Sequence, residues 1–178
     1  GEMRWTDDTQ MSLDLAESLI EHGTLHSDDL AARFAKSYRW SRGYGPGAAK
    51  LLKRIRRGTP WLEASRSVYP DGSYGNGGAM RAPVVGLFFA RVPEQLANAA
   101  EDSARLTHAH PLGLEGAVLM ATATCAAATG SPPFDSFGLA AGSCKQSAFV
   151  ARLAIAREWL TSGKQASPAE VRRQLGNG

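Results

Sequence analysis

Cysteine is nearly absent, with two in 178 residues, too few for a disulfide framework. Both thiols are expected to be reduced, as in a cytoplasm. Cys125 stands in the run Ala123-Thr124-Cys125-Ala126, where a thiol behaves as a small buried hydrophobe. Long apolar runs are missing too. No unbroken stretch of roughly 18 or more apolar residues occurs, and no membrane span is expected. The start, Gly1-Glu2-Met3-Arg4-Trp5, lacks the basic-then-apolar layout of a secretory signal. Neither charge sign dominates. The balance of 20 Lys+Arg against 17 Asp+Glu gives +3, compatible with an anionic ligand without arguing for one. No specific nucleic-acid binding is expected. Alternating strand patterns, internal repeats and low-complexity tails are also lacking. What remains is a chain that is 43% hydrophobic and long enough for one domain with its own core, read as a single all-α unit over 1–178.

Helical periodicity and Gly/Pro punctuation set the element order. Residues 11–21 carry Leu13, Leu15, Ala16, Leu19 and Ile20 on one face, and Gly23 supplies a left-handed stop. Ser27 is expected to cap a helix reaching about Trp40. Pro46 opens the basic segment 48–57, most simply a solvated helix face. A short helix covers 61–68 and a glycine-rich loop 69–78. An apolar segment spans 79–90, with Pro83 in its first turn. Further helices are expected over 93–107, 111–128, 144–160 and 168–175, the last capped by Ser167. Residues 130–137 read as a loop. The stretch 111–128 is so uniformly small and apolar that a central helix packed on all sides is expected. Seven to nine helices result. The four tryptophans are assigned to core or rim, and the chain stops at Gly176-Asn177-Gly178.

Three polar constellations stand out. Thr6-Asp7-Asp8-Thr9 offers four successive oxygen-bearing side chains. Hard cations such as magnesium need oxygen ligands, and adjacent carboxylates can bridge two of them; a helix N-cap wants the same residues. Asp71-Gly72-Ser73-Tyr74-Gly75-Asn76-Gly77-Gly78 has four glycines in seven residues. It lets backbone N–H groups approach phosphate, or it is a tight turn around Asn76-Gly77. His108 and His110 stand at a helix junction, where a metal, a ligand or a helix C-terminus favouring cationic histidine would each suit them. His22 and His26 flank a turn and are read as surface residues.

Taken in order, Thr6-Asp7-Asp8-Thr9-Gln10-Met11, Arg42-Gly43-Tyr44-Gly45-Pro46-Gly47, Gly72-Ser73-Tyr74-Gly75-Asn76-Gly77-Gly78-Ala79-Met80-Arg81 and Leu106-Thr107-His108-Ala109 resemble the ADP-ribosylglycohydrolases, the family that includes the dinitrogenase reductase-activating glycohydrolase. The Gly-Tyr-Gly-x-Gly and Thr-His-Ala segments look most like the branch that releases serine-linked ADP-ribose and degrades poly(ADP-ribose). The resemblance implies a compact, orthogonal multi-helix bundle with two magnesium ions. It implies a hydrolase of the bond between ADP-ribose and its acceptor, whether ADP-ribosylated protein, polymer or O-acetyl-ADP-ribose. It makes Thr6, Asp7 and Asp8 metal ligands, with Asp7 and Asp8 in the catalytic centre. Ser73, Tyr74, Gly75, Asn76, Gly77 and Gly78 would bind substrate, with Gly43, Tyr44 and His108. The family's upstream Gly-Asp-rich helix and its later Gly-Gly-Asp-x-Asp-Thr-type motif are not in this sequence, so the bundle is expected to be incomplete at both ends. A catalytically inactive ADP-ribose-binding or structural protein on the same fold, and a two-metal phosphoesterase, are the other classes the residues admit.

Overall fold

The computed structural model describes residues 5–176. Residues 1–4, on which the reading of the start fell, and 177–178 of the final helix stop lie outside them. The described residues form ten α-helices and no strand. They are α1 Asp7–His22, α2 Ser27–Ser37, α3 Pro46–Arg56, α4 Trp61–Val68, α5 Ala82–Phe88, α6 Leu96–Arg105, α7 Pro111–Ala128, α8 Pro133–Gly142, α9 Ser147–Ser162 and α10 Pro168–Leu175. Single 3-10 turns at Trp40–Arg42 and Pro93–Gln95 join them.

Local chemistry explains most boundaries. Gly23 takes a left-handed conformation (φ 69°) and donates to the Leu19 carbonyl, ending α1. Prolines stand in the first turn of α3, α5, α7, α8 and α10, where the missing N–H costs nothing. Ser167 caps α10 through the Glu170 amide. Several expectations need correction. Ser27 is the first residue of α2, and the cap is His26, whose Nδ1 accepts from the Asp29 amide at 3.3 Å while its ring stacks on His22. Tyr38 turns extended (ψ 127°), so α2 ends at Ser37 rather than near Trp40. Pro93 opens a 3-10 turn before α6. The segment 130–137 is not a loop throughout. Its two prolines open α8, which brings the total to ten helices, one more than the upper expectation. Cys144 falls between α8 and α9, buried like Cys125.

The core gathers Met11, Leu15, Leu19, Leu30, Phe34, Leu51, Leu52, Val85, Phe89, Leu106 and Ala121, each large aliphatic contributing about 1.5–3 kcal/mol by burial. α7 packs against α5, α6 and α8. Gly86 permits close approach, since a Cβ there would lie 2.5 Å from the Ala121 carbonyl oxygen. α7 is not enclosed on all sides, however. Gly113, Gly116, Ala117, Val118, Ala121, Cys125 and Ala126 are buried, while Met120 is exposed. Over 18 residues it is long and apolar enough to cross a membrane, which corrects the reading that no segment qualifies, but its buried face belongs to the core. α9 and α10 bury no residue. None of the tryptophans is in the core, and Trp40 is 82% exposed.

Candidate active site

The site begins where α1 starts. Thr6 occupies the N-cap position with extended backbone, yet its side chain makes no capping hydrogen bond. The hydroxyl is therefore not consumed by the helix. Asp7 is half-buried and Asp8 exposed. Burial, then the neighbouring Asp8 charge, raises the Asp7 carboxyl above its ordinary value. Neither carboxylate is ion-paired among the described residues.

A polar network holds this helix end in place. Asp14 is buried one helical face below and accepts from Gln10 Nε2 at 2.9 Å and from the Ser37 hydroxyl. Gln10 Oε1 in turn accepts from Trp5 Nε1 at 3.1 Å and from Arg42. Arg42 also donates to the Ser37 carbonyl at 3.1 Å and lies over the Trp5 ring. Burial first raises the Asp14 carboxyl, and Ser37, Gln10 and Arg42 partly offset it. This lattice sets the turn after α2. Gly43 there is left-handed (φ 84°), and a Cβ on it would stand 4.0 Å from Asp7 Oδ1. Tyr44 follows, buried, with a hydroxyl that has no hydrogen-bond partner among the described residues and a pKa pushed up to about 12 by burial and by the Asp14 and Asp7 charges.

The glycine-rich loop faces this helix end and is held by α6 and α7. Gly72 is left-handed (φ 79°), and a side chain on it would strike the His110 backbone. A Cβ on Gly113 of α7 would lie 2.8 Å from the Ser73 carbonyl oxygen. Gly77 has no positive φ; its constraint is the His108 ring, whose Cε1 an added Cβ would overlap. α5 begins only at Ala82, so these residues precede it; Gly75 and Asn76 are exposed, while Gly77 and Gly78 are buried. The amides of Asn76, Gly77 and Gly78 donate no intrachain hydrogen bond among the described residues.

His108 is half-buried beside Arg81, and desolvation followed by that charge lowers its pKa to about 3. The expectation of a cationic histidine at a helix end is overturned: the imidazole is neutral. His110 serves a structural purpose, capping α7 by accepting from the Leu112 amide at 3.1 Å. No group of three or more His, Cys, Asp or Glu side chains suited to a metal occurs among the described residues, and the two histidines do not form one.

Asp7, Ser73, Gly75, Asn76, Gly77 and His108 line one cavity of about 200 Å³, closed by Gly45, Pro46, Gly47, Tyr69, Met80 and Thr107. The whole chain, residues 1–178, matches the family model for ADP-ribosylglycohydrolase. This chain belongs to the ADP-ribosylglycohydrolase family. It is 37% identical to human ADP-ribosylhydrolase ARH3 over 138 residues, which are 75% of this chain and 38% of that protein. It is 35% identical to the ADP-ribosyl-[dinitrogen reductase] glycohydrolase of Rhodospirillum rubrum over 107 residues, 60% of this chain and 35% of that one. A solved chain described as "ADP-ribosylglycohydrolase-related protein complex" superposes with a TM-score of 0.65 at 27% identity, covering 94% of this chain and 54% of that chain. The chain thus spans well under half the length of the curated relatives it matches.

Within this ADP-ribosylglycohydrolase chain, some of the expected residues stand apart from the cavity. Tyr74 is 72% exposed, edge-on to the His110 ring at 5.2 Å. Gly78 is buried against Ala104. Tyr44, Thr6 and Asp8 flank the cavity without lining it, as Gly43 does through Asp7. Sequence reasoning gave no role to Tyr69, Thr107 or Arg81. A sign of Tyr69 was Gly47, because any side chain there would overlap the Tyr69 phenol. The sign of Arg81 was a lone cation entering an apolar segment.

Proposed function

We propose that this domain hydrolyses the glycosidic bond between ADP-ribose and its acceptor, an ADP-ribosylated protein or polymer, with magnesium. The observation that carries the reading is the cavity that sets Asp7 opposite unpaired loop amides and a neutral histidine. The amides of Asn76 and Gly77, which line the cavity, suit the diphosphate, since successive free N–H groups form an anion-binding concavity. Ser73 adds a hydroxyl, which accepts from the Gly75 amide at 3.3 Å.

The donor chemistry fits a hard cation. Thr6 offers a hydroxyl free of capping, and Asp7 and Asp8 offer carboxylates whose mutual repulsion a cation would relieve. Thr6, Asp7 and Asp8 would hold magnesium, which when bound supplies positive charge against the ribose hydroxyls. The reaction passes through a transition state of oxocarbenium character at the anomeric carbon. The loop anchors the diphosphate, so binding energy remote from the bond orients the reacting centre. Asp7, half-buried with a raised pKa, accepts hydrogen bonds from hydroxyls or water at the same wall. His108 cannot take up a proton near neutral pH and acts as a donor or an orienting wall.

A second reading is an ADP-ribose-binding unit without catalysis, favoured by the lack of a third carboxylate beside Asp7 and Asp8 among the described residues. Incubation in excess magnesium with ADP-ribosylated peptide, and separately with a phosphomonoester, distinguishes the cases. Release of ADP-ribose alone supports the proposal. Binding without release supports the second reading, and phosphate release from the monoester points to phosphoesterase chemistry.

A further inference from the structure

Among the described residues Arg81 is the largest fully buried side chain, and none of their carboxylates pairs with it. Burial alone pulls its pKa down to about 9. Such a cation is tolerated only when its donors are largely satisfied, and here four of the five N–H groups are. Nη1 donates to the Gly77 carbonyl at 2.5 Å, Nε to Ser103 Oγ at 3.2 Å, and Nη2 to the Ser103 carbonyl at 2.5 Å and Thr107 Oγ1 at 2.9 Å. The Phe34 ring lies under the guanidinium at 5.0 Å. Arg81 thus grips the cavity loop at Gly77 and the α6–α7 junction at Thr107 at once.

Thr107 Oγ1 is 2.7 Å from His108 Nδ1. Arginine only donates, so Thr107 accepts from Arg81 and keeps one proton of its own. Thr107 is 3% exposed. Its hydroxyl proton has His108 Nδ1 as its acceptor; were Nδ1 protonated, two donors would face one oxygen and the hydroxyl proton would be buried unpaired. Nδ1 therefore accepts, and the imidazole proton sits on Nε2. That nitrogen turns to the loop side, where a Cβ on Gly75 would meet it at 3.3 Å.

We propose that Thr107, backed by Arg81, is a positioning residue that fixes His108 as the Nε2–H tautomer and aims that N–H into the cavity as a donor to an oxygen of the diphosphate. The identity of the anion rests on the function proposed above; the tautomer does not. The low His108 pKa agrees with this arrangement, since desolvation first, and then the nearby Arg81 cation, disfavours a second ring proton.

Two-bond proton–nitrogen correlations of the His108 ring, measured near pH 7 on the parent, Thr107→Ser and Thr107→Val, test the relay. The parent and Thr107→Ser should show Nε2–H alone. Thr107→Val, nearly the same shape without the hydroxyl, should show a mixture or Nδ1–H. ADP-ribose affinity by calorimetry should fall roughly three- to tenfold in Thr107→Val, as for one lost hydrogen bond, and stay near the parent in Thr107→Ser. An Nδ1–H parent, or a Thr107→Val ring that keeps pure Nε2–H, overturns the relay. Tautomers that behave as expected in a parent that does not bind ADP-ribose leave the relay standing and overturn the proposed function.

Discussion

Gly77→Ala is the substitution on which the geometry of the cavity can be tried most directly. A Cβ at Gly77 would sit 2.9 Å from His108 Nε2 and 3.0 Å from Nδ1, with Cε1 closer still. Ordinary contacts between such atoms are about 3.5–4.0 Å, so the ring must move. It has nowhere to move cheaply, because Nδ1 is held by Thr107 and Thr107 by the buried Arg81. Overpacking costs about 1–3 kcal/mol, and the broken ring hydrogen bond adds about 1 kcal/mol. The total of about 2–4 kcal/mol corresponds to a fall in melting midpoint of roughly 5–15 °C for a domain of this size. Gly45→Ala is the control. Gly45 lines the same cavity, but nothing lies within 4 Å of its added Cβ, and its stability should stay within about 0.5 kcal/mol of the parent. Thermal unfolding by circular dichroism reads both variants, and an ADP-ribose titration reads the displaced ring. A Gly77→Ala protein with the parent's midpoint and affinity would refute the placement of His108 against the loop.

Asp7→Asn separates metal ligation from capping. Thr6 makes no capping bond and asparagine suits a first turn, so the variant should keep its melting midpoint while magnesium-dependent ADP-ribose release is largely lost; unchanged release would remove Asp7 from the centre. Asp14 holds its proton more tightly in the folded chain than the ordinary 3.8. The folded state then binds more protons than the unfolded state above that pH, so this group's contribution falls as pH rises through its raised pKa and levels off beyond. Urea midpoints taken from about pH 4 to 7 should fall less in Asp14→Asn than in the parent; parallel curves would count against the buried carboxylate. Gly86→Ala should force α5 from α7 and cost about 1–3 kcal/mol by overpacking, read by the same unfolding curves; a neutral result would contradict the close helix contact.

The order of helices was legible because its signals are local. Apolar spacing, a glycine after Leu19 and His22, and prolines at first turns act within a few residues. They located α3, α4, α7 and α10 nearly as the structure has them, and the end of α1, whose start at Asp7 lies one turn before the expected residue 11. They failed where two punctuators stood together, since Pro132-Pro133 reads as a break and in fact starts α8. The motifs that mark the family were legible as residue types in order, and so were the candidates Asp7, Ser73, Asn76 and His108. Their roles were not equally readable. Gly77 suggested a tight turn or a backbone approach to phosphate, whereas the ring of His108, far along the chain, is what excludes a side chain there. His108 suggested a charge at a helix end, whereas desolvation beside Arg81 keeps it neutral. Hydrogen-bond direction, desolvation and close approach depend on groups that packing brings together, and a sequence pattern carries no distance between them. The helices and the family belong to the sequence. The joining of Asp7 to the loop, the burial of Arg81 and the orientation of His108 exist only once α1, α5, α6 and α7 have packed around one core.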